Sequence, residues 1–526
     1  MSQYFSAVGV INLLAHCISL LAFTLVSVPA WSQDGSTSEQ KEWRMAGFSL
    51  LYKEQCATCH GEQLQGASQA PPLVGRPLTY GDSLKQIRNS IALGSTERGM
   101  PVWSKTMTDE QINNLAIYVS EQRAGLTYLD FNVDKTLLIP EQAIQSEAHS
   151  FSLQTIINTL DPLPFSIAPL PDRNILLVEK MRGLSIISPD GKQSPLIQNT
   201  PPVYHDTAEP DVGLLYGLGW MLDVAIHPDY KNNGWIYLHY GDRCSNCNTI
   251  SRKTGQAVSM NTLVRGRIRA GKWVDEQVLW QGDIEFYGLL SDAAAGGRIA
   301  FDDSGHVYFT VGLKGNDNHT DVQNLHSPWG KIHRINNDGS MPEDNPFVKT
   351  PGAQQSIWSY GHRNPQGLEF DTRSRQMWST EMGPRGGDEV NLLLAGKNYG
   401  WPLFSKGVNY DGTTVRYGDK LGIKFNLEDI EQPIVDLTPS PAISSFVFYE
   451  GDGFPKWQGN IIVGSLKAAS LYRMVFKDNV LVHSETLIKD LARIRDIELG
   501  PDGSIYLLLE HSAGGQIILI TPALKN

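Results

Sequence analysis

"DDSGHVYFTV", residues 302–311, joins a polar turn to a short apolar strand. The same module returns five more times. It reads "PDRNILLVE" from Pro171, "PDYKNNGWIYLHY" from Pro228 and "DTRSRQMWSTE" from Asp371, then "GDGFPKWQGNIIVG" from Gly451 and "PDGSIYLLLE" from Pro501. The six copies lie at uneven intervals averaging 66 residues, each long enough for a four-stranded sheet with its loops. Regular short strands with turn signals argue for an all-β repeat architecture. Six units closing on themselves make a six-bladed propeller, which leaves only short, protected edges. A β-sandwich array is the weaker alternative, because it has no need of similar units. The 49 glycines and 29 prolines show no period and suit a turn-rich β fold. The propeller is assigned to residues 149–526.

The chain has 526 residues, room for two or three domains. With a net charge of −12 and 19% charged residues, it is a poor partner for nucleic acid. It starts with the apolar run "SAVGVINLLAHCISLLAFTLVSVPAWSQ". Val28 and Ala30, or Ala30 and Ser32, stand as small residues at a cleavage site, so residues 1–32 read as a signal peptide and the chain as exported to the periplasm. No Lys or Arg precedes the run, which leaves a retained membrane anchor as the competing reading. Cys17, inside the run and preceded by His16, makes a poor lipoprotein site. In an exported chain Cys244 and Cys247 of "RCSNCN" are expected to form a local disulfide. A metal pair would need a second Cys/His pair nearby in sequence.

The stretch "QCATCHGEQ", residues 55–63, has the spacing that ties a haem to a chain by two thioethers, from Cys56 and Cys59, with His60 as axial ligand to the iron. Residues 43–53 put Gly47 with Leu51, and Phe48 with Tyr52, on shared helical faces. Residues 108–121 open with Thr108 and Gln111 in capping-box spacing, followed by a stripe of Ile112, Leu115, Ala116 and Val119. Between them, Met100 of "ERGMPVW" is placed to approach the iron opposite His60, a ligation that raises the haem potential. Met107 is the rival, but at the helix cap it is expected to point away. With "GFSLLY", "PPLVG" and "GMP" around the haem motif, residues 42–124 resemble a small, all-α class I c-type cytochrome domain. Residues 125–148, with few Gly or Pro, read as an ordered connector.

A propeller carries its function at the mouth of the central channel. Four stretches stand out: 358–371, 378–402, and the "VGSLK" and "LARIRDI" segments near the end. Their "RNPQG", "GPRGGDE" and "NYGWP" runs resemble those of the PQQ-dependent aldose sugar dehydrogenases, relatives of soluble quinoprotein glucose dehydrogenase, over roughly 150–522. PQQ carries three carboxylates, so its pocket must supply clustered cations. Arg493 and Arg495 point the same way at strand spacing, and Lys467 can join them. The resemblance assigns these three to PQQ. It also assigns the carbonyls of Gly383 and Pro384 to a calcium ion at the cofactor, and Glu389 with the Tyr399 carbonyl to a second, structural calcium. It implies a quinohaemoprotein that oxidises a sugar or related alcohol and passes electrons to its own haem c, then to a downstream redox acceptor.

The match fails at one side of the pocket. The family's catalytic histidine precedes a Gly-Gly-Arg turn; here the turn is Gly296, Gly297 and Arg298, but the histidine position is Ala294. The family's pocket glutamine is Leu218, and an expected arginine is Asn316. A methyl group takes no proton. Asp292 is the nearest replacement base in sequence, and His205 and His319 are the candidates from other loops. Two functions stay open: an oxidoreductase with an altered substrate, and a catalytically silent propeller acting in binding or electron relay. The retained cations favour the first.

Overall fold

The computed structural model describes residues 38–126, 131, 133–207, 216–313 and 320–523, without the side chains of residues 38–46 and 320. The signal segment, Asn316 and His319 lie outside the described residues. Four helices come first: Ser38–Gln55, Ala57–His60, Leu84–Leu93 and Asp109–Ala124. The last opens on the expected capping box, with Thr108 and Gln111 each satisfying the other's backbone N–H. Its stripe of Ile112, Leu115, Ala116 and Val119 is buried against Tyr52, Leu64 and Ile87.

The remaining strands form six antiparallel sheets. Their inner strands are Pro164–Pro169, Met221–Ile226, Gly296–Phe301, Pro365–Asp371, Ile443–Phe448 and Arg493–Leu499. Each inner strand packs beside the next, and the last meets the first, so the sheets are the six blades of a closed propeller. Four of the sheets have four strands; the first has three, fewer than the module spacing suggested. The last sheet closes the ring. Its outer strand is Ser150–Leu160, which pairs with Gly515–Pro522 from the other end of the chain. The connector contributes one piece of this sheet, the short strand Ile144–Gln145.

All six recurring modules fall at one place in the blade, the turn between first and second strands. They mark one face of the propeller. The opposite face is the mouth, where each inner strand begins and each second strand ends. Pro164 pairs there with Glu179, Gly296 with Val311, Pro365 with Glu381, Ile443 with Ser465 and Arg493 with Glu510.

Hydrogen bonds stitch every blade to its neighbour. The Ile167 N–H donates to Asp496, Val224 N–H to Ser166 Oγ, and Ile299 N–H to Asp223. Arg298 Nε donates to the Gln366 carbonyl, Thr380 Oγ1 to the Ser444 carbonyl, and Ser444 Oγ to the Ile494 carbonyl. Cys244 and Cys247 are bonded to each other, as expected. Ring closure depends on packing as well as pairing. Phe151 is fully buried and meets the Trp457 ring edge-on at 5.7 Å. Phe151→Ala should therefore lower the unfolding free energy by about 3–5 kcal/mol in a denaturant titration; a loss below 1 kcal/mol would mean that this strand does not hold the ring shut.

Candidate functional site

One part of the mouth collects positive charge around the carboxylate of Glu510. Glu510, at the end of a second strand, accepts from Arg493 Nε at 2.9 Å, Arg495 Nε at 2.7 Å and Lys180 Nζ at 2.8 Å. All four side chains are buried. Burial alone would raise Glu510, yet Arg495, Lys180 and Arg493 hold it well below the usual carboxylate range. Burial and the adjacent Arg495 pull Lys180 down to about 8, with Glu510 opposing. Among the described residues of this cluster, three cations against one anion leave a surplus of two positive charges. Buried charge of one sign is costly unless something completes the pairing. An anionic ligand with several carboxylates fits that surplus. Lys467 follows the second strand Ile461–Ser465 and is half-buried at the same mouth.

The segment after Ser359 builds the next part of the rim. His362 is fully buried between Glu381, 2.9 Å from its Nδ1, and Ser359, 2.9 Å from its Nε2. Arg363 reaches over to the turn after Glu381 and donates to the Gly383 carbonyl at 2.9 Å, the Met382 carbonyl at 3.1 Å and the Tyr410 hydroxyl at 3.1 Å. Gln366 links Arg495, which donates to its Oε1, to Asn364, which accepts from its Nε2.

The turn "GPRGGDE" folds tightly on itself. A Cβ on Gly383 would lie 2.3 Å from the Gly387 carbonyl oxygen, so only glycine lets these carbonyls crowd together. Asp388 ties the turn down by accepting from the Gly383 N–H at 2.9 Å and the Ile443 N–H at 2.8 Å. Burial pushes Glu389 up to about 8, with Glu381 the next cause and Asp436 and Asp388 adding to it. Crowded carboxylates and backbone carbonyls are the donor set of a hard cation, and the residues here fit calcium. Tyr399 is buried nearby, with its hydroxyl donating to the Leu392 carbonyl.

Asp292, the nearest acid to Ala294 in sequence, is buried and fully engaged. It is 2% exposed. One oxygen accepts from the Gly219 and Trp220 N–H groups at 2.7 and 2.9 Å, and the other from Ser259 Oγ at 2.9 Å. These three bonds clasp the loop before Met221 to the strand that carries Ser259. Ala294 is half-buried in the turn just after it, and His205 is exposed on its own loop.

Among the helices, the imidazole Nδ1 of His60 lies 3.3 Å from the Pro71 carbonyl. An N–H donated there leaves Nε2 as the free nitrogen for an iron. Cys56 is partly buried, and burial with Cys59 beside it pushes its thiol up to about 11. Met100 is partly buried on the same apolar cluster as Cys56, Leu73 and Val74, in a turn closed by paired backbone bonds with Ser95. Met107 packs on this cluster too and does not point away, contrary to the expectation from its place at the helix cap. The cysteine pair, the free imidazole face and the thioethers fit a covalent haem.

Two family models match the chain. One, described as glucose/sorbosone dehydrogenase, covers residues 162–519; the other, described as cbb3-type cytochrome c oxidase subunit III, covers residues 44–119. The chain belongs to the glucose/sorbosone dehydrogenase family. Among relatives, it is 32% identical over 390 residues to aldose sugar dehydrogenase YliI of Escherichia coli, covering 73% of this chain and 97% of that one. It is 25% identical to quinoprotein glucose dehydrogenase B of Acinetobacter calcoaceticus, covering 72% and 89%. The crystal structure of the E. coli aldose sugar dehydrogenase in its apo form superposes with a TM-score of 0.61 at 30% identity, covering 71% of this chain and all of that one.

In this dehydrogenase-family propeller the topology brings Lys467, Arg493, Arg495, Gly383 and Pro384 to one mouth. Sequence reasoning missed Lys180, Glu510 and Arg363 as site members. Lys180 carried no motif, whereas Glu510 closes a module and Arg363 precedes "NPQG", so both were in view as strand and loop residues.

Two outcomes follow. Asp292→Asn should destabilise the propeller by about 2–4 kcal/mol, because the amide group cannot accept all three bonds. Unchanged stability with abolished turnover would instead make Asp292 the base. The oxidised protein should show the weak near-infrared band of sulfur-ligated haem iron, and Met100→Ala should remove it. Survival of the band in that variant would transfer the role to Met107.

Proposed function

We propose that the chain is an exported quinohaemoprotein dehydrogenase that oxidises a sugar or related alcohol at the propeller mouth and delivers the electrons to haem c on its own N-terminal helices. A one-electron carrier, such as a cytochrome or another respiratory component, would drain the haem. The observation that carries this reading is the buried surplus of positive charge at Lys180, Arg493 and Arg495 around one glutamate. The apolar N-terminal run and the haem motif support export.

Pyrroloquinoline quinone, when bound, supplies a two-electron acceptor. Lys467, Lys180, Arg493 and Arg495 would bind its carboxylates, and the Gly383 and Pro384 carbonyls a calcium ion beside it. Glu389 and the Tyr399 carbonyl would hold the second calcium and stiffen the turn. Arg363 already lies on the Gly383 carbonyl and orients that oxygen. Haem c would attach to Cys56 and Cys59, and His60 and Met100 would hold its iron.

Oxidising an alcohol to a carbonyl removes two electrons and two protons. A haem takes those electrons one at a time. The proton on the reacting hydroxyl needs an acceptor, and the Ala294 methyl group offers none. Leu218 removes a polar contact as well. The pocket therefore suits a less polar substrate than glucose, and standard aldoses should react slowly. The same two positions favour a second reading, a silent propeller that relays or binds without oxidising.

Calorimetry with calcium and PQQ tests the carrying observation. Removing one partner of a buried, charged contact costs about 2–5 kcal/mol. Arg493→Ala, Lys180→Ala and Lys467→Ala should each weaken PQQ binding by roughly 30-fold or more. Equal affinity in all three variants would reject the site. Tight binding without oxidation of any aldose or alcohol, followed with a dye acceptor, would select the second reading.

A further inference from the structure

Among the described residues, the helices meet the propeller at the turn that carries Gly383 and Pro384 and at the neighbouring 408–414 loop. The residue after Pro384, Arg385, turns away from the mouth and into the helical layer. Its Nε and Nη2 donate to the two oxygens of Glu121, at 3.0 and 2.7 Å. Both side chains are almost fully buried, 3% and 5% exposed. The guanidinium carbon also lies 3.7 Å from the centre of the Phe48 ring. Glu121 belongs to the helix Asp109–Ala124, 264 residues away in sequence.

The contact is built on both sides. Phe48 and Ile117 from the helices form a buried apolar cluster with Val408 from the propeller. Val408 exchanges both backbone bonds with Arg385, so the cluster and the turn are one unit. Asn114 Nδ2 donates to the Gly412 carbonyl at 3.0 Å, and the Thr414 N–H donates to Glu110 at 2.6 Å. Gly412 has a positive φ of 88°, and a Cβ there would lie 2.4 Å from the Phe48 ring. A bidentate, buried ion pair, an apolar seal and a glycine that admits an aromatic ring describe a permanent dock. Separating the helices from the propeller would expose the Phe48, Ile117 and Val408 cluster to water and give up the bidentate pair.

We propose that this dock is the fixed route by which electrons pass from the propeller mouth to the haem-binding helices, and that Glu121 and Arg385 are its positioning pair. The proposal rests on the dehydrogenase reading above. Orientation and distance set by a dock replace the diffusive search of a tethered acceptor. The pair touches neither substrate nor cofactor; it acts by holding one domain against the turn at the site.

The test uses the full chain with its covalent haem. Glu121→Gln weakens the pair, and Gly412→Ala opens the same interface by steric pressure without altering charge. In protein without PQQ, hydrogen exchange in segments 109–124 and 404–417 should rise at least tenfold together in each variant. With calcium and PQQ added, Glu121→Gln should reduce a small dye acceptor within twofold of the wild-type rate, while its haem is reduced at least tenfold more slowly. Unchanged exchange in both variants overturns the dock. Risen exchange with an unchanged haem rate overturns the route. If wild type reduces neither dye nor haem with any aldose or alcohol, the dehydrogenase reading fails and the route fails with it; normal dye reduction with an unaltered haem rate in Glu121→Gln overturns this proposal alone.

Discussion

Arg298 sits on the propeller axis and ties four of the six blades together. From the third blade, its guanidinium donates to Asp496 in the sixth at 2.7 Å and to Asp223 in the second at 3.3 Å. It also donates to the Gln366 carbonyl in the fourth and to the Arg495 carbonyl in the sixth. The side chain is 4% exposed, so its charge is tolerable only because every arm of the fork is met. Asp223 and Asp496 then each accept a backbone N–H from a neighbouring blade. The mouth inherits its shape from this hub. Arg495 is held at one end by Arg298 and at the other by Glu510, and the Gly296–Gly297 turn that delivers Arg298 sets the height of Ala294.

The two glycines of that turn are there for geometry. Both have positive φ, and a Cβ on Gly297 would meet Leu222 at 2.8 Å. The turn is thus kept by the needs of the axis, independently of any histidine in front of it. This explains how the chain retains Gly296, Gly297 and Arg298 while the preceding position is alanine. Scaffold and chemistry are adjacent in sequence but answer to different constraints.

The repeat was legible because a turn followed by an apolar strand is a local signal, and all six copies fall on the same turn of the blade. The haem motif was legible for the same reason: its residues are neighbours. The blade count followed, but not the three-stranded first sheet, whose strand number is fixed by where the ring closes. The site was legible in part. Arg493 and Arg495 stand out by spacing, whereas Lys180 becomes a site residue only when the first and sixth blades meet. Asp292 is the nearest acid to Ala294 in sequence, but the sequence hides its partners: the Gly219 and Trp220 N–H groups and the Ser259 hydroxyl. The pairing of Glu121 with Arg385 spans most of the chain and leaves no local mark.

In the proposed reading, one chain contains both the site of oxidation and its first electron acceptor. Rapid anaerobic mixing of the calcium- and PQQ-loaded protein with an accepted substrate tests it most directly, with the haem absorption bands followed over a tenfold range of protein concentration. Haem reduction is expected in a first-order phase whose rate does not change with protein concentration. A rate that rises in proportion to protein concentration would mean that electrons travel between molecules, and a haem that stays oxidised while substrate is consumed would contradict the claim outright.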